Sequence, residues 1–304
     1  MARRLRPAVV VPLAALALLV AGCAADPRVL PIRLDPAALE SPDRLGPLTD
    51  YPAAVRAISA VMAQDLALPL PSAVILYIYP TRTAYADGLS DVGGMPPDRA
   101  REIAGYSVGL GQHRRLFINE SALGDRSPRA WLGVLAHELT HVVQYQLAGG
   151  RRGRSEQWLR EGMADWVACQ VLERLGVSSF RDERAQVVRA VAGKLPLADE
   201  PLDLVDLGQP RGWEMRHLRS GDRLTYRLAF LLTDDLIRRQ GFDRLVTYFR
   251  AFAGSDDRFG HFQRAFGLSL EEFEVSALEH VRDETAAARP TAPAPGPPPD
   301  RPER

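Results

Sequence analysis

His137-Glu138-Leu139-Thr140-His141 sets two imidazoles four residues apart, with a carboxylate beside the first. On a helix that spacing is one turn plus about 40°, with a rise of about 6 Å, so both rings can face one point and share a metal ion. Glu138, on the flank of the same face, can reach a water at that ion. A catalytic zinc takes three protein ligands and leaves a fourth position to water. Glu161, in Trp158-Leu159-Arg160-Glu161-Gly162-Met163-Ala164-Asp165, is the candidate third ligand. It stands 20 positions after His141, near the start of an apolar helix expected from about Gln157 to Leu175. Asp165 follows four residues later, so two carboxylates stack on one helix face among Trp158, Met163 and Trp166. Like charges at that spacing repel, and apolar surroundings make unpaired charge costlier. A bound cation resolves both problems. The alternative is that Glu161 only complements the dipole of its helix, with Arg160 neutralising it. The chemistry that the full set could perform is metal-activated hydrolysis.

The elements that must position these groups are legible from local signals. Ser127-Pro128 reads as a helix start and Gly149-Gly150 as its stop. Between them Trp131, Leu135, Leu139, Val142 and Val143 recur at three- and four-residue spacing and form a core face. Upstream, Val55, Ile58, Met62 and Leu66 predict a helix over 52–66, and the apolar run Ala73 to Tyr79 predicts a strand. A Gly/Pro/Asp-rich connection at 88–99 then precedes two short strands, Ala104–Val108 and Arg114–Ile118, with Gly109 and Gly111 in the turn between them. Downstream the pattern predicts helices at 180–193, 222–240, 242–253 and 257–284, with a long loop near 194–221. The expected fold class is α+β: a small, mostly antiparallel sheet packed on the HExxH helix, followed by a helical C-terminal lobe.

The pattern HELTH, nineteen residues, then the Glu of WLREGMADW resembles the gluzincin metallopeptidases, in particular bacterial peptidase MA-like domains. The resemblance is strong over residues 131–166 and looser over about 50–283. It implies a zincin-like fold, one Zn2+ held by His137, His141 and Glu161, and Glu138 as general base. Asp165 would accept a hydrogen bond from a zinc-bound His and fix its ring. A Tyr or His of the downstream helical part would help stabilise the oxyanion, and Tyr226 and His217 are the local candidates. Substrate backbone would pair with an edge strand beside the site, for which Arg114–Asn119 is the candidate. The activity implied is that of a peptidase, endopeptidase by default. The rival reading is an inactive zinc-binding envelope lipoprotein acting as a protein-interaction scaffold.

Arg3, Arg4 and Arg6 followed by the apolar run Ala8 to Val20 have the layout of a secretory signal. That run is short of the roughly 20 residues that a spanning helix needs. It ends in Leu19-Val20-Ala21-Gly22-Cys23, which looks like the lipobox of bacterial lipoproteins, with Cys23 acylated. The expected organisation is a signal peptide at 1–22, a Pro-rich tether at 23–49, the peptidase domain at 50–284 and a disordered Pro-rich tail at 285–304. Localisation follows as the bacterial cell envelope, facing the periplasm or the extracellular side, with the membrane engaged through the lipid. Cys169, the only other cysteine, has no partner once Cys23 is acylated and is expected to pack as a small hydrophobe. Loss of 1–22 removes three arginines and no acid, leaving 35 basic against 38 acidic residues. That near-balance gives no electrostatic basis for binding nucleic acid. The partners expected are a peptide or protein substrate and the membrane.

Overall fold

The computed structural model describes residues 26–35, 39, 48, 50–123, 127–192, 203–220 and 224–288. In chain order these form β1 (Arg28–Arg33), α1 (Tyr51–Gln64), β2 (Ala73–Tyr79), α2 (Arg82–Asp91), α3 (Pro97–Tyr106), β3 (Gly109–Gln112), β4 (Arg115–Asn119), α4 (Glu120–Leu123), α5 (Pro128–Leu147) and α6 (Gln157–Arg174). Then come α7 (Phe180–Ala192), α8 (Leu204–Leu207), α9 (Pro210–Ser220), α10 (Leu224–Gln240), α11 (Phe242–Ala251), α12 (Arg258–Phe266) and α13 (Leu270–Ala287). The class is α+β and mostly helical, as expected. The signal segment, Cys23 and residues 289–304 lie outside the described residues, while 285–287, expected as the start of the tail, are the last turn of α13.

The strands form one four-stranded sheet in the order β1-β2-β4-β3. β1–β2 and β3–β4 are antiparallel while β2–β4 is parallel, so the sheet is mixed. Along β2 the side chains alternate between two covered faces, which explains its unbroken apolar sequence. Val74, Leu76 and Ile78 join Leu116 and Ile118 in the main core beneath α1 and α5. Tyr79 and Phe117 face a second cluster with Tyr85 and Leu89 from α2 and Ile103 from α3. Tyr77 and Phe117, paired across β2 and β4, stack at 5.2 Å.

Several expectations are corrected. Residues 28–33, inside the span read as tether, are a sheet strand, and β1 lies at an edge, where Pro31 costs no ladder bond. The connection at 88–99 is largely helical, since Thr81 caps α2 by accepting from the Ala84 amide at 3.1 Å and Pro97 opens α3. Ala104–Val108 is not a strand: Ala100, Ile103 and Ala104 bury one helical face of α3. The glycines 109 and 111 lie in β3, and the turn is His113-Arg114, with His113 at φ 52°. The loop near 194–221 contains α8 and α9. The single helix expected at 257–284 is two, broken where Gly267 turns left-handed at φ 77° and Ser269 and Glu272 cap α13 reciprocally.

The helical lobe is seated on α6. Trp158 stacks on Phe273 of α13 at 5.8 Å, and Trp166 on Phe242 of α11 at 5.0 Å. α10 crosses α6 at Gly162, where an added Cβ would lie 2.0 Å from Thr233 Oγ1 and 2.4 Å from the Ala229 carbonyl oxygen. Gly133 of α5 has no such constraint, its nearest neighbour being Leu172 Cδ1 at 3.6 Å. Gly162→Ala is therefore expected to cost about 1–3 kcal/mol through forced separation of the helices. Gly133→Ala should gain up to about 1 kcal/mol from helix propensity. Urea unfolding of the two variants checks the contrast; equal shifts would refute it.

Candidate functional site

α5 starts at Pro128 after Ser127, although the Ser127 hydroxyl makes no capping bond. It stops at Gly149 and Gly150, left-handed at φ 65° and 85°. Leu135, Leu139, Val142 and Val143 are buried in the core, and Trp131 packs edge-on against Tyr51 at 5.6 Å. That burial turns His137, Glu138 and His141 towards α6 and β3. α6 brings Glu161 and, one turn on, Asp165 to the same place.

Three atoms converge. His137 Nε2 lies 3.1 Å from His141 Nε2, and Glu161 Oε2 lies 3.3 Å from the first and 3.4 Å from the second. Among the described residues these three form the group able to hold a metal ion. The outer ring nitrogens are anchored: His137 Nδ1 bonds Asp165 Oδ1 at 2.7 Å and His141 Nδ1 bonds Gln144 Oε1 at 3.0 Å. Both partners are acceptors, so in the neutral ring each Nδ1 carries the proton and each Nε2 turns its lone pair inwards. Gln144 is itself fixed by donating to the Arg160 carbonyl at 2.9 Å, and Gln157 donates to Glu161 Oε1 at 2.7 Å.

The field of the site favours positive charge at that point. Burial disfavours a charged His137, yet Asp165, then Glu161 and Glu138, raise its pKa well above the usual imidazole range. Glu161 is equally buried, and the two histidines hold its carboxyl well below the usual range. Glu138 differs: burial dominates and raises its pKa, against the histidines and a 2.6 Å bond from the Gly111 amide to Oε2. A buried carboxylate with a raised pKa, aimed by one amide, is suited to take and release a proton.

That amide belongs to β3, which lies directly against α5. A Cβ at Gly111 would sit 2.0 Å from the Glu138 carbonyl oxygen, and one at Gly109 would sit 2.8 Å from Glu138 Cγ. The glycines let the strand approach the helix. β3 is also the sheet edge beside the site, whereas β4 is interior, so the edge expected at Arg114–Asn119 is corrected to Gly109–Gln112.

A cleft of about 460 Å³ runs over the cluster, with His137, Glu138, His141, Glu161, Tyr226 and His217 in its wall. The Tyr226 ring lies 6.4 Å from the His137 ring and 5.0 Å from Trp213. Burial, then Glu161 and Asp165, raise the Tyr226 pKa well above its ordinary value, so the phenol keeps its proton. His217, expected in a loop, is on α9 and meets Tyr226 ring to ring at 5.5 Å. Cys169 is half-buried and unbridged, and burial raises its thiol pKa, which leaves no nucleophile there. Sequence reasoning missed Gln144 and Gln157, whose signal is helical spacing: three residues after His141 and four before Glu161. It missed the role of Gly109 and Gly111 and the burial of the Arg160 side chain in the cleft wall, for which no local signal exists.

Residues 113–180 match the model of a family described as a peptidase of plants and bacteria. That span contains His137, Glu138, His141, Glu161 and Asp165, and leaves Tyr226, His217 and β3 outside. Comparison with curated proteins and with solved structures yields no match. Over that segment the chain is similar to the peptidases of plants and bacteria, which supports a peptidase-like domain.

Proposed function

We propose that this chain is a zinc-dependent endopeptidase of gluzincin type, with a zincin-like arrangement of sheet, HExxH helix and helical lobe. The observation that carries the reading is the convergence of His137 Nε2, His141 Nε2 and Glu161 Oε2 at 3.1 to 3.4 Å. Ligand atoms about 2.0–2.1 Å from a tetrahedral ion stand about 3.3–3.4 Å apart. Two imidazole lone pairs and a carboxylate at these separations fit a divalent cation.

The chemistry such an ion supplies is Lewis acidity, which brings the pKa of water from near 16 to about 7 and polarises a carbonyl. The chain's own residues would do the rest. Asp165 and Gln144 hold the two rings in the ligating tautomer, and Gln157 orients Glu161. Glu138 takes the proton of the attacking water and delivers it to the leaving amine. Tyr226, protonated and close to His137, donates to the oxyanion. The outer edge of β3, whose Gly111 amide is given to Glu138 and whose Gly109 carbonyl accepts from Ser107, would offer its remaining backbone groups for pairing with an extended substrate. The same reading places the chain in the bacterial envelope, tied to the membrane through a lipid on Cys23, with peptides or proteins as substrates and no nucleic-acid partner.

Mass spectrometry of the purified chain should find about one zinc per molecule. Glu161→Ala should weaken its retention, and Asp165→Asn should lower affinity by about 10–100-fold. Absence of zinc after reconstitution at neutral pH would sink the reading. In turnover assays on a mixed peptide library, Glu138→Gln should keep zinc and lose cleavage. Tyr226→Phe should lower kcat by about 10²–10³-fold; a larger loss in His217→Ala would move the donor role to His217.

A further inference from the structure

The cleft contains a buried charge that the ligand set and its supports do not use. Arg160, next to Glu161 on α6, is 4% exposed and lines the cleft. Its Nη1 donates to the Arg152 carbonyl at 3.1 Å, and its guanidinium lies 5.7 Å from the centre of the Tyr145 ring. Among the described residues no carboxylate is in ion-pair contact with it. Arg258, also buried, shows the ordinary solution: it pairs with Glu156 at 3.2 Å. Arg160 stands in the first turns of α6, where the helix dipole opposes a cation.

Arg152, exposed at the cleft's rim, is a second cation without an ion-pair partner among the described residues. It comes from the loop between α5 and α6, and its Nη2 donates to Gln157 Oε1 at 3.2 Å. Gln157 in turn donates to Glu161, so two hydrogen bonds separate this guanidinium from the candidate metal ligand. Other arginines nearby are neutralised: Arg151 by Asp256 at 3.0 Å, and Arg99, also in the cleft wall, by Glu102 and Glu214. Arg152 and Arg160 have no such counter-charge among the described residues. Guanidinium groups match a carboxylate in shape and charge, with paired N–H donors.

We propose that Arg152 and Arg160 form an anion subsite in the cleft, selecting peptides that carry a carboxylate close to the bond cleaved. The proposal rests on the peptidase reading for the meaning of the cleft, but the subsite itself can be tested without turnover. The carboxylate could be an Asp or Glu side chain or the peptide's own C-terminus.

The test is equilibrium binding of fluorescent mixed-sequence peptide pools to the full chain carrying Glu138→Gln, with zinc and again with a chelator. One pool contains Glu where its twin contains Gln, and each is made with a free and with an amidated C-terminus. The pools bearing carboxylate should bind about ten-fold tighter or more. The preference should persist in chelator. Arg160→Met should abolish it and Arg152→Gln, at an exposed position, should reduce it, with unchanged urea unfolding midpoints showing that both variants keep the fold. Loss of preference on amidation alone assigns the subsite to the C-terminus; its persistence assigns it to side chains. Equal binding of all pools, no binding by any, or a preference that survives both substitutions would overturn the proposal. Absence of zinc or of turnover in the wild type would refute the peptidase reading and leave these binding results intact.

Discussion

Two imidazole lone pairs and a carboxylate oxygen held within 3.4 Å of one another repel unless positive charge lies among them. The side chains bonded to the cluster hold that arrangement. Asp165 and Gln144 keep each proton on the far side of its ring, and Gln157 keeps one carboxylate oxygen occupied so that the other points inwards. Burial removes the water that would screen the repulsion. On the metal reading the cluster would be a mould for a cation, built from two helices whose other faces are packed in the core.

Glycine supplies the second constraint. At three places a backbone or side chain occupies the space a Cβ would need: β3 on α5 at Gly109 and Gly111, and α10 on α6 at Gly162. The first two deliver a backbone amide to Glu138. The third brings the helix of Tyr226 down beside His137. Close approach at these glycines sets the width of the cleft, and side-chain bulk at any of them would widen it.

The legible parts of the molecule were those written in local physics. The limits of α5 follow from Ser127-Pro128 and Gly149-Gly150, and Glu161 with Asp165 follows from four-residue spacing on an apolar helix. What misled was local resemblance to something else. Pro27 and Pro31 look like tether until β1 proves to be an edge strand, where proline is tolerated. β3 has no strand signature because its glycines answer to α5 and not to β propensity. Ala104 and its neighbours read as a strand because a short apolar run fits either period. The uncompensated state of Arg152 and Arg160 depends on where acids from distant segments fall, and no local pattern encodes that.

The position of β1 changes the scale on which the N-terminus works. Its first residue, Arg28, is only five positions after Cys23 and is locked into register with Ile78. A fully extended chain reaches at most about 3.6 Å per residue. A lipid on Cys23 would then hold the sheet within about 18 Å of the bilayer surface, on a leash shorter than the domain itself. Such a molecule could not sweep a wide volume, and its cleft would meet chiefly those chains that run alongside the membrane.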